Sequence, residues 1–411
     1  MSTAGFLNGV NGVNGVNGVN GVNGVNGVNG VNGVNGVNSF PGYAGLVSNP
    51  MLALGLIQSQ GANTYDGDWA DPRWDPENPA GGAKGSNKKQ PRYLDLGHTE
   101  RLKLRDADTR FYLAQSELMQ LLVFPDADAA KSVEEYGVSY LAASSAGAYK
   151  AYPFISIKRP PLTVFSKEQL ALVRTRARLR VDRVSEILSQ VPPQYAYWAS
   201  VCNLHPETTP RVIELTYIAL YFSMLVTQRI KHALAVPRPC EFSSLVQPII
   251  MTPAYSAFPM GHATEAYVFA MIFAHLAGQK AGSRLHEQLF RLARRISDNR
   301  VISGVHFPID GAAAYALAAA VAHYFVARCG QGKSNTKFIG YGFDGTLYRP
   351  DADIDPRRIF DAKDASGNAT QKGKKPPGYE MPCAAKVPTS KLLEALWDDA
   401  RAELELQGFA K

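Results

Sequence analysis

Residues 258–278 read FPMGHATEAYVFAMIFAHLAG. A Pro–Met–Gly turn is followed by His262 and a long apolar run, and the spacing predicts a helix over His262–Ala277. A histidine in the first turn of a helix lies beside backbone N–H groups that have no intrahelical partner and beside the positive end of the helix dipole, a setting suited to an anion. Its neighbour Met260 carries no strong donor. The stretch therefore signals both a buried helix and an anion contact that lacks a hydroxyl.

Helical texture extends outward on both sides. Leu102–Val123 has apolar residues at helical spacing and stops before Pro125. Ser166 opens the pattern SKEQ, in which Gln169 can close a capping box, and that helix runs to about Gln190 before VPP. Thr209–Pro210 reads as an N-cap and first-turn proline for a helix ending near Leu234. Ser283 opens a helix that reaches about Ser303 and stops at Gly304, and another runs from Pro308 to about Cys329. YPFISI, residues 152–157, is one short strand candidate. The expected fold class is all-α, a helical bundle.

The bundle occupies residues 98–333. Ahead of it, Asn8–Val37 is an uninterrupted run of NGV triplets, so residues 1–38 read as a disordered repeat tail and 39–97 as an irregular arm rich in Gly, Pro, Asn and Asp. Residues 334–411 form a loop-rich extension that ends in an amphipathic helix, Ser390 to about Leu406.

The 411 residues are 45% hydrophobic, enough for a sizeable core, and the formal net charge is +7. That charge favours anionic partners without selecting one class. Arg174, Arg176, Arg178 and Arg180 scatter around a helix axis and read as a solvated basic helix, so no nucleic-acid partner is expected. Cys202, Cys240, Cys329 and Cys383 are far apart, which argues against a disulfide framework or a thiolate zinc site. No basic segment followed by an apolar run opens the chain, so no secretory signal and a cytoplasmic location are expected. The sequon Asn368–Thr370 is then idle. The longest apolar runs read as buried core helices short of a membrane span, and their apolar faces would allow a homo-oligomer.

Three segments carry the chemistry. KHALAVPRP places Lys231 and, after six residues, Arg238–Pro239; FPMGHA places His262; and NRVISGVHFPID places Arg300, His306 after five residues, and Asp310 after three more. Three cations and two helix N-termini, at His262 and just before Pro308, make a site for a tetrahedral or trigonal-bipyramidal oxyanion. Asp310, one turn beyond His306, can accept from one ring nitrogen and leave the other free to attack or coordinate. His262 is a second imidazole suited to proton transfer.

In order and spacing, these segments resemble the superfamily of type 2 phosphatidic acid phosphatases (PAP2), bacterial class A acid phosphatases and vanadium-dependent haloperoxidases, whose pattern is K-x6-RP, PSGH and SR-x5-H-x3-D. The nearest likeness is to its soluble bacterial haloperoxidase-like branch. Met260 stands where that pattern has serine, and so does Asn299. The resemblance implies that Lys231, Arg238, Arg300 and the Gly261 amide bind the oxyanion. It makes His306 the phosphate-accepting nucleophile or the axial ligand of vanadium, oriented by Asp310, and gives His262 the proton transfers. Tyr255 lies near where haloperoxidases place a residue that tunes the halide site. The implied activity is peroxide-dependent halide oxidation with vanadate as cofactor. The alternatives are a phosphomonoesterase or pyrophosphatase that needs no cofactor, and an oxyanion-binding protein without turnover, for which Met260 is the main argument. The implied partners are a small anion with peroxide, or a phosphate ester.

Overall fold

The structure is a computed structural model and describes residues 96–126, 133–143, 147–191, 194–331, 338–361, 375–383 and 385–409. The NGV run, the arm up to residue 95 and the Asn368 sequon lie outside the described residues. The chain divides into two units, 1–113 and 114–411. The described part of the first holds α1 (His98–Lys103) and the first half of α2 (Ala107–Met119). The single helix expected over Leu102–Val123 is broken because the Asp106 carboxylate accepts from Thr109 N at 2.6 Å and starts a new helix.

The second unit is mostly helical. After Pro161, a helical stretch runs from Leu162 to Ser189 and contains α3 (Leu170–Arg176) and α4 (Arg180–Ser189). It is neither uniform nor opened by Ser166: a π-helical turn occupies Phe165–Gln169 and a 3-10 turn Ala177–Leu179. Gln169 is drawn away from the expected capping box by a distant helix end, as described below. Then follow α5 (Tyr195–Cys202), α6 (Pro210–Leu234), α7 (Pro239–Phe242), α8 (Gly261–Leu276), α9 (Arg284–Ile302), α10 (Pro308–Arg328) and α11 (Lys391–Leu406).

Several expected ends hold. Ser283 Oγ accepts from His286 N to cap α9, and Gly304 at φ +90° follows its end. Thr209 is the N-cap residue of α6, but its hydroxyl turns back to His205 O. The free N–H groups of Arg211 and Val212 are met instead by the Glu403 carboxylate of α11, at 2.8 and 3.0 Å. Two of the four arginines are not solvated as expected, and one of them, Arg176, is half-buried and pairs with Asp353. Arg180 is half-buried, with Nε on Ile302 O and Nη1 on Gln247 O.

The all-α expectation needs amendment. A five-stranded sheet, in the order β1 (Leu122–Val123), β2 (Glu135–Ala143), β3 (Tyr149–Lys158), β4 (Ile339–Asp344), β5 (Gly378–Pro382), packs on the bundle. All neighbours are antiparallel except β3 and β4. Two of its strands lie in the segment expected to be loop. Gly340 and Gly342 weaken the strand signal there, yet the sheet requires them. A Cβ on Gly340 would lie 2.5 Å from Pro153 O, and one on Gly342 would meet the Tyr379 ring.

The sheet buries Tyr140, Phe154 and Phe338 around Tyr324 of α10. At the end of β4, Phe343 packs on Phe258. Phe165 of the π turn touches Phe258, Phe307 and Phe242, giving an aromatic floor under the loops that follow. Among the described residues, α10 is long and apolar enough to cross a membrane by length and composition, contrary to the reading that it falls short, and most of it is buried in the fold.

Candidate active site

Lys231 sits in the last turn of α6 and is 1% exposed. Its Nζ donates to Ser256 O at 2.7 Å and Ala257 O at 2.9 Å, which aims the ammonium at the loop before α8. Arg238 follows the break between α6 and α7. It donates from Nε to Tyr255 O and from Nη1 to Val305 O, each at 2.9 Å. Nη1 also lies 2.9 Å from His306 Nε2, while Nη2 is buried with no protein partner. Arg300, near the end of α9, donates only Nη2 among the described residues, to Ile187 O at 2.8 Å; its Nε and Nη1 are buried and unpaired.

Among the described residues, Arg238 Nη2 and Arg300 Nε and Nη1 thus have no protein acceptor. Leaving a buried charged donor unsatisfied is costly, so such a set is what a cradle for an oxyanion requires. Phosphate and vanadate both fit this donor set. The first turn of α8 adds N–H groups at Gly261, and a Cβ on Gly261 would stand 3.9 Å from Lys231 Cε.

His306 and Asp310 pair through Nδ1 and Oδ2 at 2.9 Å, and Phe307 N also donates to Oδ2 at 2.9 Å. A guanidinium can only donate, so Nε2 of His306 accepts from Arg238. The ring proton is therefore on Nδ1, Asp310 Oδ2 is its acceptor, and a lone pair on Nε2 faces the cradle. Burial, then the charges of Arg238 and Lys231, hold the His306 imidazole well below its ordinary value. Burial also pushes the Asp310 carboxyl up to about 7, against the Phe307 N–H and the two cations.

His262, half-buried in the first turn of α8, is held at about 3 by burial and Arg300, opposed by a hydrogen bond with the Val191 backbone. Both imidazoles are thus neutral near pH 7 without an anion. Burial lowers Lys231 well below the usual ammonium range and brings Arg300 down to about 10.

Lys231, Arg238, His262 and Arg300 all lie near enough to His306 to act on its charge, and Asp310 pairs with it. Tyr255 also joins them. Its ring, 46% exposed, lies over Lys231 Nζ at 5.3 Å and Arg238 Cζ at 5.1 Å. A groove of about 450 Å³ runs beside it, lined by Gln228, Lys231, His232, Ala235, Ala254, Tyr255 and Ser256.

Met260 is fully buried, and its thioether is engaged by the bundle: Ser297 Oγ on α9 contacts Sδ at 3.6 Å, and a Cβ on Gly311 of α10 would lie 3.7 Å from Cε. Its N–H donates to Asp310 O at 3.0 Å, tying the loop before α8 to the first turn of α10.

Several supporting residues were not singled out in the sequence. Gln169 Oε1 accepts from Ile309 N at 2.9 Å, capping α10 beside His306, and its Nε2 donates to Pro350 O at 2.6 Å. Glu265, one turn after His262, is pushed up to about 7 by burial, opposed by Lys231. Its only sequence signal is a carboxylate inside an apolar helix.

Residues 213–332 match the family model of the PAP2 superfamily. The match contains all three segments and supports that superfamily for this region, without selecting a branch. No curated protein matches the chain.

Proposed function

We propose that the protein is an enzyme of the phosphatase and haloperoxidase type, which holds a tetrahedral oxyanion between Lys231, Arg238, Arg300 and the N-terminus of α8 and bonds it to His306 Nε2. The observation that carries this reading is the set of unpaired buried guanidinium donors, Arg300 Nε and Nη1 with Arg238 Nη2, beside an imidazole whose free lone pair is fixed by Asp310.

Arg238 Nη1 now occupies the Nε2 lone pair, and an incoming anion would draw that donor onto its own oxygens and free the nitrogen. Asp310 would stabilise the positive charge that grows on the ring as Nε2 forms its bond. The anion's charge would raise the pKa of His262 and let it carry a proton at neutral pH. With a phosphate ester, Nε2 would attack phosphorus, the P–O bond to the leaving group would break, and His262 would protonate the departing oxygen. His262, then neutral, would take a proton from the water that hydrolyses the phosphohistidine.

Within this type we favour the vanadate-dependent haloperoxidase reading. Lys231, Arg238, Arg300 and the Gly261 amide would hold the vanadate oxygens, and His306 Nε2 would hold the vanadium. When bound, vanadate supplies Lewis-acid activation of hydrogen peroxide toward halide. Tyr255 supports this choice, because it places a half-open aromatic ring against two of the cations.

The test is one comparison of purified protein with and without vanadate. Halide-dependent peroxide consumption and p-nitrophenyl phosphate hydrolysis are measured side by side. Hydrolysis that vanadate inhibits, with no halide oxidation, overturns the haloperoxidase reading in favour of the phosphatase. Absence of both activities together with tight oxyanion binding makes it a binding protein without turnover.

A further inference from the structure

The unusual residue beside the third cation has a structural use. Asn299 is fully buried, and its Nδ2 reaches two acceptors on α4, Glu186 Oε1 and Gln190 Oε1, each at 2.9 Å. The Glu186 carboxylate also takes a two-pronged contact from Arg295, with Nε at 2.7 Å and Nη2 at 2.6 Å. The residue after Glu186 is Ile187, whose carbonyl is the acceptor for Arg300 Nη2. α4 begins after a 3-10 turn, and loop follows it at Val191, so its last turn gains its position from contacts with α9.

We propose that Asn299 and Glu186 are positioning residues that clamp the last turn of α4 to α9. The clamp sets the height of the Ile187 carbonyl, which orients the Arg300 guanidinium and leaves Nε and Nη1 for the bound oxyanion. The proposal rests on the oxyanion reading of the site. A serine at position 299, as in the superfamily pattern, has one hydroxyl hydrogen and a shorter reach, so it cannot meet both acceptors. The asparagine is therefore a different solution to holding the same arginine. It follows that restoring the family's serine harms the site.

The test is calorimetric titration of the full chain with inorganic phosphate, for wild type, Asn299→Ser, Arg300→Lys and the double variant. Arg300→Lys keeps the charge and loses the fork that Ile187 orients. Asn299→Ser is expected to weaken phosphate binding about tenfold, or about 1.4 kcal/mol. In the Arg300→Lys background the same change is expected to cost less than about twofold, because coupled residues are non-additive. Unchanged affinity in Asn299→Ser, or an equal loss in both backgrounds, overturns the clamp. If Asn299→Ser loses its cooperative melt, Arg295→Gln replaces it, since Arg295 is 49% exposed and its fork on Glu186 can be released without emptying the core. A several-fold loss that vanishes in Arg300→Lys is then expected, and unchanged affinity overturns the proposal. Wild type that binds no phosphate or vanadate overturns the site reading itself, and the clamp with it.

Discussion

Met260→Ser sets two effects against each other in one side chain. The methionine is 0% exposed and wedged between Ser297 and Gly311. Replacing it with serine removes the thioether and terminal methyl from a packed junction of α8, α9 and α10. Truncations of this class cost about 2–5 kcal/mol, depending on how far the site can collapse. For a unit of this size each kcal/mol shifts the melting temperature by about 1.5–2 °C, so a fall of about 3–10 °C is expected. The new hydroxyl stands at the N-cap of α8, beside the cradle. A hydrogen bond from it to a charged oxygen would be worth about 1.5–3 kcal/mol, which corresponds to about 10- to 100-fold tighter binding. The variant is expected to melt early without ligand and to recover part of the loss in saturating phosphate, by about 2.7 kcal/mol at 100 times Kd. Scanning calorimetry with and without phosphate, paired with titration calorimetry, separates the two effects. A melting temperature within about 2 °C of wild type would refute the wedge. Unchanged affinity would refute the placement of position 260 at the anion.

Further expectations concern the proton inventory and the sheet. His262 is held at about 3 in the free site, and a bound anion raises its pKa, so binding of non-titrating sulfate at pH 7 takes up protons and strengthens as pH falls from 8 toward 5; titrations in two buffers of different ionisation enthalpy measure the uptake, and zero uptake rules the mechanism out. His262 also sets a stability trend: its folded pKa lies below the unfolded value of 6.5, so between about pH 6.5 and 3 the unfolded chain binds more protons and this contribution to stability is lost as pH falls. Asp310→Asn removes the acceptor that fixes the Nδ1–H tautomer, and turnover is expected to fall by about a hundredfold or more with much less change in KM; an unchanged kcat would show that His306 needs no orienting carboxylate. Gly340→Ala drives a methyl against the Pro153 carbonyl and is expected to cost about 1–3 kcal/mol with phosphate affinity unchanged; an unshifted melt would refute the close approach of β3 and β4.

The bundle was legible because its helices end on strong local punctuation. Ser283 and Gly304 bracket α9, and the four-residue spacing of His306 and Asp310 by itself puts both groups on one turn. The sheet was not legible, for two different reasons. In β2 the buried set Tyr136, Val138, Tyr140 and Ala142 does alternate, but Leu141 on the other face is apolar too and Gly137 weakens the strand signal. In β4 the close approach of the Pro153 backbone demands glycine at 340, and in β5 the side chains of Ile359 and Phe360 crowd Gly378; glycine is the residue that argues against a strand when sequence is read alone. The site itself divides the same way. Cations and histidines are recognisable by type and spacing, whereas the groups that orient them are backbone carbonyls and distant side chains. Ser256 O, Ala257 O and Ile187 O carry no sequence signature at all. Gln169 was visible only as a neighbour of Ser166, and its real partner, Ile309, is 140 residues away.

The cap that Gln169 places on α10 bears on how far the chain can be cut down. The family-matched region, 213–332, holds every charged and titratable group proposed to act on the substrate. Yet its helix ends are closed from outside it. Gln169 meets Ile309 N, Ile187 receives Arg300, and Glu403 meets the N–H of Val212, which lies one residue ahead of the matched region in the same helix. Excised at the family boundaries, that segment would retain the chemistry and lose the fastenings. The motif region is therefore not a portable module, and grafting it onto another bundle would require bringing three remote sequence neighbourhoods along with it.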